Sequence, residues 1–160
     1  MLSVDGLFHV VLYEPEIPPN TGNIIRLCAN TGAALHLIAP LGFALEDKLL
    51  RRAGLDYHEW VTLRVHPSLA AFKAAVAPKR LWAFSTHAKR LYTDARYELG
   101  DALLFGPETR GLPRSVLDAE PADARLRLPM RPDNRSLNLS NAVAISVFEA
   151  WRQHGFHGGQ

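Results

Sequence analysis

Short apolar runs alternate along the chain with segments in which apolar residues recur three or four positions apart. Six of the runs have the length and composition of strands, and they cover Phe8–Tyr13, Ala34–Pro40, Trp60–Val65, Arg80–Ser85, Ala102–Gly106 and Arg125–Pro129. Spacings of three and four are typical of one face of a helix. Because strands and helices alternate, the pattern predicts an α/β fold, a mainly parallel sheet with helices on both faces.

The helices are bounded by capping residues and glycines. The prolines of "EPEIPPNTG" interrupt regular structure, so the first helix is expected to begin after a cap at Asn20 or Thr21 and to end at Gly32. Three further helices are expected at Leu45–Gly54, from Leu69 to Pro78, and from about Leu139 to His154.

The last helix carries apolar residues on two sides. One side presents Leu139, Val143, Val147 and Trp151, and the roughly opposite side presents Ile145 and Phe148. A surface helix usually has one apolar stripe, which faces the core, so the apolar residues on the second side must be buried by something else. A second copy of the chain would bury them in a homodimer, and a loop of the same chain is the alternative.

Length and composition predict one globular domain that spans residues 1–160. The chain has 160 residues of which 48% are hydrophobic, enough for one core, and no internal repeat or linker divides it. No apolar run reaches the roughly 20 residues of a membrane span, and the first residues lack a basic signal-peptide start. Cys28 is the only cysteine. These features predict a cytoplasmic protein without disulfides or a membrane anchor.

The formal net charge of +2 is too small to indicate nucleic-acid binding by itself, and local pairs of basic residues are more informative. They lie in expected loops or helix ends, where they would either bind phosphate groups or form ordinary solvated surface, and the sequence leaves both readings open. The pairs are Arg51 with Arg52, Lys89 with Arg90, Arg110 with Arg114, and Arg131 with Arg135.

Several common sites have no sequence support. The glycine patterns of dinucleotide-binding folds and P-loops are absent, and so is the serine-hydrolase elbow. The seven histidines show no paired metal-ligand spacing, so we expect no metal site and assign them structural roles: His9, His36, His58, His66, His87, His154 and His157.

Three polar segments stand out in this α/β pattern, where ligands bind beyond the carboxyl ends of strands. The first is "EPEIPPNTGNIIR", which follows the first predicted strand. In "FGPETRGLP", Gly106 permits a sharp turn and a close ligand approach, although an ordinary tight turn would also explain its glycines. In "PMRPDNRSLNLSNAVAI", more polar residues precede the last helix than one helix cap requires. A binding site is the alternative to a cap.

Three segments together resemble a known family. "NTGNIIR" (Asn20 to Arg26), "LFGPETRGLP" (Leu104 to Pro113) and "LPMRPDNRSLNLSNAVAI" (Leu128 to Ile145) are similar to the three motifs of the SPOUT superfamily of S-adenosylmethionine-dependent RNA methyltransferases. The resemblance is strongest to the branch that methylates the ribose 2'-hydroxyl of cytidine or uridine at position 34 of tRNA. It extends over almost the whole chain.

The resemblance implies a SPOUT fold with a C-terminal trefoil knot, an obligate homodimer, and tRNA, through its anticodon stem-loop, as substrate. It implies S-adenosylmethionine as the cofactor, S-adenosylhomocysteine as the product and no metal. A same-fold enzyme acting on ribosomal RNA and a non-catalytic RNA-binding module remain alternatives. The module is disfavoured because Arg26, Glu108, Ser136 and Asn138 are all present.

The resemblance also implies roles for individual residues. Arg26 would activate the 2'-hydroxyl, although a guanidinium is a poor base and is better suited to holding phosphate and stabilising negative charge. Glu108 would orient other groups or act as a base, and Ser136 and Asn138 would face the reacting end; these four are the catalytic candidates. The implied cofactor site comprises Phe84, Ser85, Thr86, Gly106, Pro107, Glu108, Leu128, Met130, Ser136 and Leu137. The implied RNA contacts are Arg26, Arg51, Arg52, Arg110, Arg131 and Arg135.

Overall fold

Parallel strands form one seven-stranded sheet in the computed structural model, which describes residues 7–46, 63–134 and 137–160. The strands run in the spatial order β3-β2-β1-β6-β4-β7-β5, and every neighbouring pair is parallel. Their bounds are β1 His9–Tyr13, β2 Ala34–Ile38, β3 Leu63–His66, β4 Leu81–Phe84, β5 Arg90–Leu91, β6 Ala102–Phe105 and β7 Arg125–Arg127. The predicted parallel α/β fold is therefore confirmed.

Helices cover both faces of this sheet. They are α1 Pro18–Thr31, α2 Leu69–Val76, α3 Arg114–Asp118 and α4 Leu139–Gln153, with short 3₁₀ turns at Tyr92–Asp94 and Ala122–Ala124. On one face, strand residues such as Leu12 and Leu35 share a core with Ile24 of α1 and Val143 of α4. On the other face, Val11 and Leu104 share a core with Phe72 of α2. Burial of strand side chains on both faces explains why the strand sequences are almost continuously apolar.

Helix α1 begins earlier than the sequence indicates. Its N-cap is Ile17, and Pro18 and Pro19 occupy the first helical positions, so the predicted cap at Asn20 or Thr21 is wrong. Proline is tolerated there because the first N–H groups of a helix have no intrahelical partner, and its fixed φ is already helical. The predicted end at Gly32 is confirmed, since that residue adopts a left-handed φ of 80°.

The other predicted elements either agree more closely with the structure or lie partly outside the described residues. Strand β3 is described from Leu63, whereas the first residues of the predicted strand Trp60–Val65 lie outside the described part. The predicted helix Leu45–Gly54 also lies outside it except for its first two residues, which form a turn. Strand β5 was not predicted, because two residues are too few to show a period.

The last strand enters the interior of the sheet. Strand β7 pairs with β4 on one side and β5 on the other, although both precede it along the chain. Helix α4 follows from this inserted strand and packs against α1. The trefoil knot that the family resemblance implies stays a prediction. Within the described ranges, no helix has both the length and the apolar character needed to cross a membrane.

Candidate functional site

The carboxyl ends of all strands lie at one edge of the sheet, because the strands are parallel. The loops that follow β4, β6 and β7 meet at this edge and line an open cavity of about 850 Å³. Leu139 and Ala142 of α4 also line it. A cavity at this edge is the common ligand position in open parallel sheets.

The residues predicted to bind the cofactor converge on this cavity. Its lining includes Phe84, Ser85, Thr86, Gly106, Pro107, Glu108, Leu128, Met130 and Leu137. The remaining candidate, Ser136, lies outside the described residues. The structure thus brings three distant segments together at one cavity, and their binding role stays a prediction.

The chemistry of the lining suits a flat ligand with a polar edge. Phe84 and Phe105 stack with ring centroids 4.5 Å apart, and Leu128 and Met130 add apolar side chains. Backbone groups of the loop 106–112 supply hydrogen-bond donors and acceptors. Apolar walls with a few fixed polar groups are typical of cofactor sites.

Gly106 is required by the loop itself. A Cβ at this position would lie 2.2 Å from the backbone nitrogen of Leu112 and 2.4 Å from the carbonyl carbon of Gly111. The loop after β6 therefore folds back onto Gly106 and is further closed by the Gly111 N–H, which donates to the Pro107 carbonyl oxygen at 2.9 Å. The sequence predicted a sharp turn and a close ligand approach at Gly106, and in the structure the nearest obstacle to a side chain is the chain's own backbone.

The carboxylate of Glu108 is directed at the start of helix α1. Its Oε1 accepts a hydrogen bond from the Glu16 N–H at 2.8 Å, and its Oε2 accepts one from the Ile17 N–H at 2.7 Å. The Asn20 side-chain amide donates to Oε2 at 3.4 Å. A negative charge at a helix N-terminus is stabilising. Because both oxygens are engaged, the geometry favours an orienting role for Glu108 over that of a base.

The Glu16 carboxylate makes a second set of hydrogen bonds between the same two loops. Its Oε1 accepts hydrogen bonds from the Thr109 N–H at 2.9 Å and the Thr109 hydroxyl at 2.7 Å. These bonds, with Arg110 nearby, hold the pKa of Glu16 below its usual value. We call the four residues Glu16, Ile17, Glu108 and Thr109 the carboxylate clamp. The clamp joins the loop after β1 to the loop after β6.

Asn138 connects the segment before α4 to helix α1. Its Oδ1 accepts hydrogen bonds from the Ser140 and Asn141 N–H groups, so the residue caps α4. Its Nδ2 donates to the Asn20 Oδ1 at 3.0 Å. The side chain is therefore both a helix cap and a link between distant segments.

The predicted RNA-contact residues are more dispersed. Arg26 lies on the exposed side of α1 and is not part of the cavity lining. Arg110 lines the cavity and forms ion pairs with Glu14 at 3.5 Å and Glu16 at 3.6 Å. Arg131 is exposed in the loop after β7. Arg51, Arg52 and Arg135 lie outside the described residues.

Three buried histidines form a chain that sequence reasoning missed. His9 Nδ1 lies 3.0 Å from His36 Nε2, and His36 Nδ1 lies 2.9 Å from His66 Nε2. Burial, reinforced by the neighbouring histidines and Arg64, lowers the pKa of His36 to about 3. The available signal was one histidine in or beside each of the first three strands. In the part of the chain that the structure describes, no group of three His, Cys, Asp or Glu residues could hold a metal ion.

Comparison with known proteins gives a consistent result. The model of the SpoU rRNA Methylase family matches residues 7–148. A tRNA (cytidine(34)-2'-O)-methyltransferase of Escherichia coli (strain K12) is 59% identical over 152 residues, covering 95% of this chain and 97% of that protein.

Solved structures agree with the sequence comparison. One, described as giving structural insights into the 2-OH methylation of C/U34 on tRNA, has a TM-score of 0.86 and 48% identity and covers 94% of this chain and 98% of its own. The SpoU methyltransferase AviRb from Streptomyces viridochromogenes, solved with the cofactor AdoMet, has a TM-score of 0.79 and 26% identity. The match covers 93% of this chain and 61% of that protein.

Proposed function

The chain belongs to the SpoU rRNA Methylase family, and we propose that it transfers the methyl group of S-adenosylmethionine to the ribose 2'-hydroxyl of nucleotide 34 of tRNA. The observation that carries the substrate is the 59% identity, over nearly the full length of both chains, to a tRNA (cytidine(34)-2'-O)-methyltransferase. The cavity at the carboxyl edge of the sheet, lined by the segments after β4, β6 and β7, supplies a site for the chemistry.

The lining of the cavity suits S-adenosylmethionine, because it combines apolar side chains with the backbone of the loop after β6. Stacked Phe84 and Phe105, with Leu128 and Met130, suit the apolar faces of an adenine, and the backbone of the loop after β6 suits its polar edge. When bound, the cofactor supplies an electrophilic methyl group on its sulfonium. The chain's task is then mainly to hold donor and acceptor in line.

Arg26 and Glu108 have different roles in this proposal. Arg26 is exposed on α1, where it can grip the phosphate beside the target ribose and stabilise the negative charge that develops on the attacking oxygen. Glu108 holds the start of the same helix through the Glu16 and Ile17 amides. Asn138 contributes a third hold through Asn20. The exposed Arg131 belongs to the RNA-binding surface in this proposal.

A homodimer is part of the proposal. Ile145 and Phe148 of α4 are 40% and 44% exposed, while Val143 and Val147 on the same helix are buried in the core. A second copy packed on this apolar side would remove it from water. Sedimentation measures the assembly state, and Phe148→Ser should shift it towards monomer. The knotted arrangement of one domain over residues 1–160 and a cytoplasmic location complete the proposal.

The test is nucleoside mass spectrometry. Unmodified tRNA is incubated with protein and S-adenosylmethionine and then digested, and the products are separated. The expected result is 2'-O-methylcytidine or 2'-O-methyluridine at position 34. Methylation of ribosomal RNA instead would move the substrate to the second alternative. Absence of any methyl transfer, with RNA still bound, would favour a non-catalytic module.

A further inference from the structure

The first turn of α1 has no cap from its own side chains. The N-cap Ile17 makes no side-chain cap hydrogen bond, and Pro18 and Pro19 have no N–H to offer. The donors just before the helix are the N–H groups of Glu16 and Ile17, and both are taken by Glu108. A residue distant in sequence therefore fixes the start of the helix that carries Arg26.

Glu108 can accept hydrogen bonds from the Glu16 and Ile17 amides only if its own loop is correctly placed. This loop follows β6 and turns back on itself, and its outer residues Thr109 and Arg110 are exposed. Thr109 is next to Glu108 in the chain, and its amide and hydroxyl both donate to the Glu16 carboxylate. Arg110 adds an ion pair to Glu16 at 3.6 Å. Glu16 thus holds the loop at the residues adjoining Glu108.

Glu16 is itself held from a third side. The Gly42 N–H donates to the Pro15 carbonyl oxygen at 2.9 Å, and a Cβ on Gly42 would lie 2.9 Å from the Glu16 Cα. The loop after β2 therefore packs directly against the Glu16 backbone. The backbone at Glu16 is therefore held independently of its contact with Thr109.

We propose that Glu16 is a positioning residue for methyl transfer: its carboxylate holds Thr109, and thereby keeps the Glu108 carboxylate on the amides at the start of α1. This inference rests on the proposed function. Helix α1 carries Arg26, so a shift of its first turn moves the guanidinium relative to the cavity. When a mutation far from the reacting atoms misplaces a group by about 1 Å, the rate can fall by about 100-fold.

Three variants separate this role from a general structural one. Glu16→Ala removes the acceptor for both Thr109 donors, whereas Glu16→Gln retains an oxygen acceptor without the charge. Glu98→Ala is the matched control, because Glu98 is an exposed carboxylate paired with Lys79 and Arg80 away from the cavity lining.

The first readout is steady-state kinetics in which tRNA and S-adenosylmethionine are each varied while the other is held at saturation. Glu16→Ala should lower kcat by about 10- to 100-fold with less than about threefold change in either KM. Glu16→Gln should recover most of the lost rate, and Glu98→Ala should match the wild type. A wild-type kcat in Glu16→Ala, a loss confined to the KM for cofactor, or an equal loss in the Gln variant would overturn the proposal.

The second readout needs no activity. Amide hydrogen exchange of the cofactor-free protein should show faster exchange at Thr109 and also at Ile17 in Glu16→Ala, because the Ile17 partner, Glu108, is released. Unchanged protection of Ile17 would overturn the indirect action of Glu16. If wild-type protein transfers no methyl group to tRNA, the proposed function fails, and the exchange measurement still decides the clamp.

Discussion

The Asn138 side chain donates a hydrogen bond to the Asn20 Oδ1 at 3.0 Å, which connects the start of α4 to the start of α1. Asn20 in turn donates to Glu108 at 3.4 Å. Residues from three distant segments are thus joined next to the cavity. Asn138, in the polar run that precedes α4, therefore caps that helix and also joins the hydrogen bonds that reach Glu108 in the cavity lining.

Substitutions of Asn138 should separate these two roles. Asn138→Asp keeps the acceptor for the Ser140 and Asn141 amides but removes the donor to Asn20, so we expect near-wild-type thermal stability and reduced methyl transfer. Asn138→Ala loses both and should also cost about 1 kcal/mol of stability. Thermal denaturation beside a methylation assay measures the two effects. Equal activity in the Asp variant and wild type would show that the link to Asn20 has no role in the reaction.

Gly106→Ala should lower cofactor affinity by at least about tenfold, equivalent to about 1.4 kcal/mol. The added Cβ would meet the backbone of Gly111 and Leu112 and force the loop after β6 open. Calorimetric titration with S-adenosylmethionine measures the affinity. Gly155→Asn is the control, because that position lies outside the cavity lining and has open space and a φ of +64° that asparagine tolerates. Unchanged affinity in Gly106→Ala would refute the role of the loop in the pocket.

Arg26→Ala should keep cofactor affinity within about twofold and lower methyl transfer by about 100-fold or more. Arg26 is exposed on α1 and does not line the cavity, so removing it leaves the cofactor contacts in place. Titration with S-adenosylmethionine and a methylation assay on tRNA measure the two quantities. Arg96→Ala, another exposed arginine, is the control. A fully active Arg26→Ala protein would contradict the proposed role.

Acidification should destabilise the fold through the histidine chain. Folded His36 has a pKa lowered from 6.5 to about 3, so between these values the unfolded chain binds a proton that the folded chain does not. Stability therefore falls as pH falls through this window, by up to about 1.4 kcal/mol per pH unit for each proton. Urea denaturation at several pH values between about 7 and 4 measures the slope.

His36→Gln should reduce this slope, because it removes the most deeply buried of the three histidines; burial also lowers the pKa of His66, which the variant keeps. His157→Gln removes an exposed histidine instead and should keep the wild-type slope. A slope in His36→Gln equal to that of the wild type would show that His36 does not cause the acid sensitivity.

Local pattern was sufficient for much of the fold. The apolar runs predicted six of the strands, because burial on both faces leaves a continuous apolar signature. The end of α1 at Gly32 and the extent of α4 were also visible, since glycine and the helical period act over a few residues. Local rules failed at Pro18 and Pro19, where the same residue type both interrupts and begins helices.

The sequence by itself determined the fold class, the family resemblance and which segments would form the candidate site, because each rests on residues close together in the chain. Only the tertiary structure decided how they meet. Placing β6 beside β1 brings Thr109 to Glu16, and placing β2 between β1 and β3 stacks His36 between His9 and His66. Strand order is set by packing of the whole sheet, and no local period encodes it. The same holds for Gly106, whose need for glycine comes from a backbone that folds back onto it.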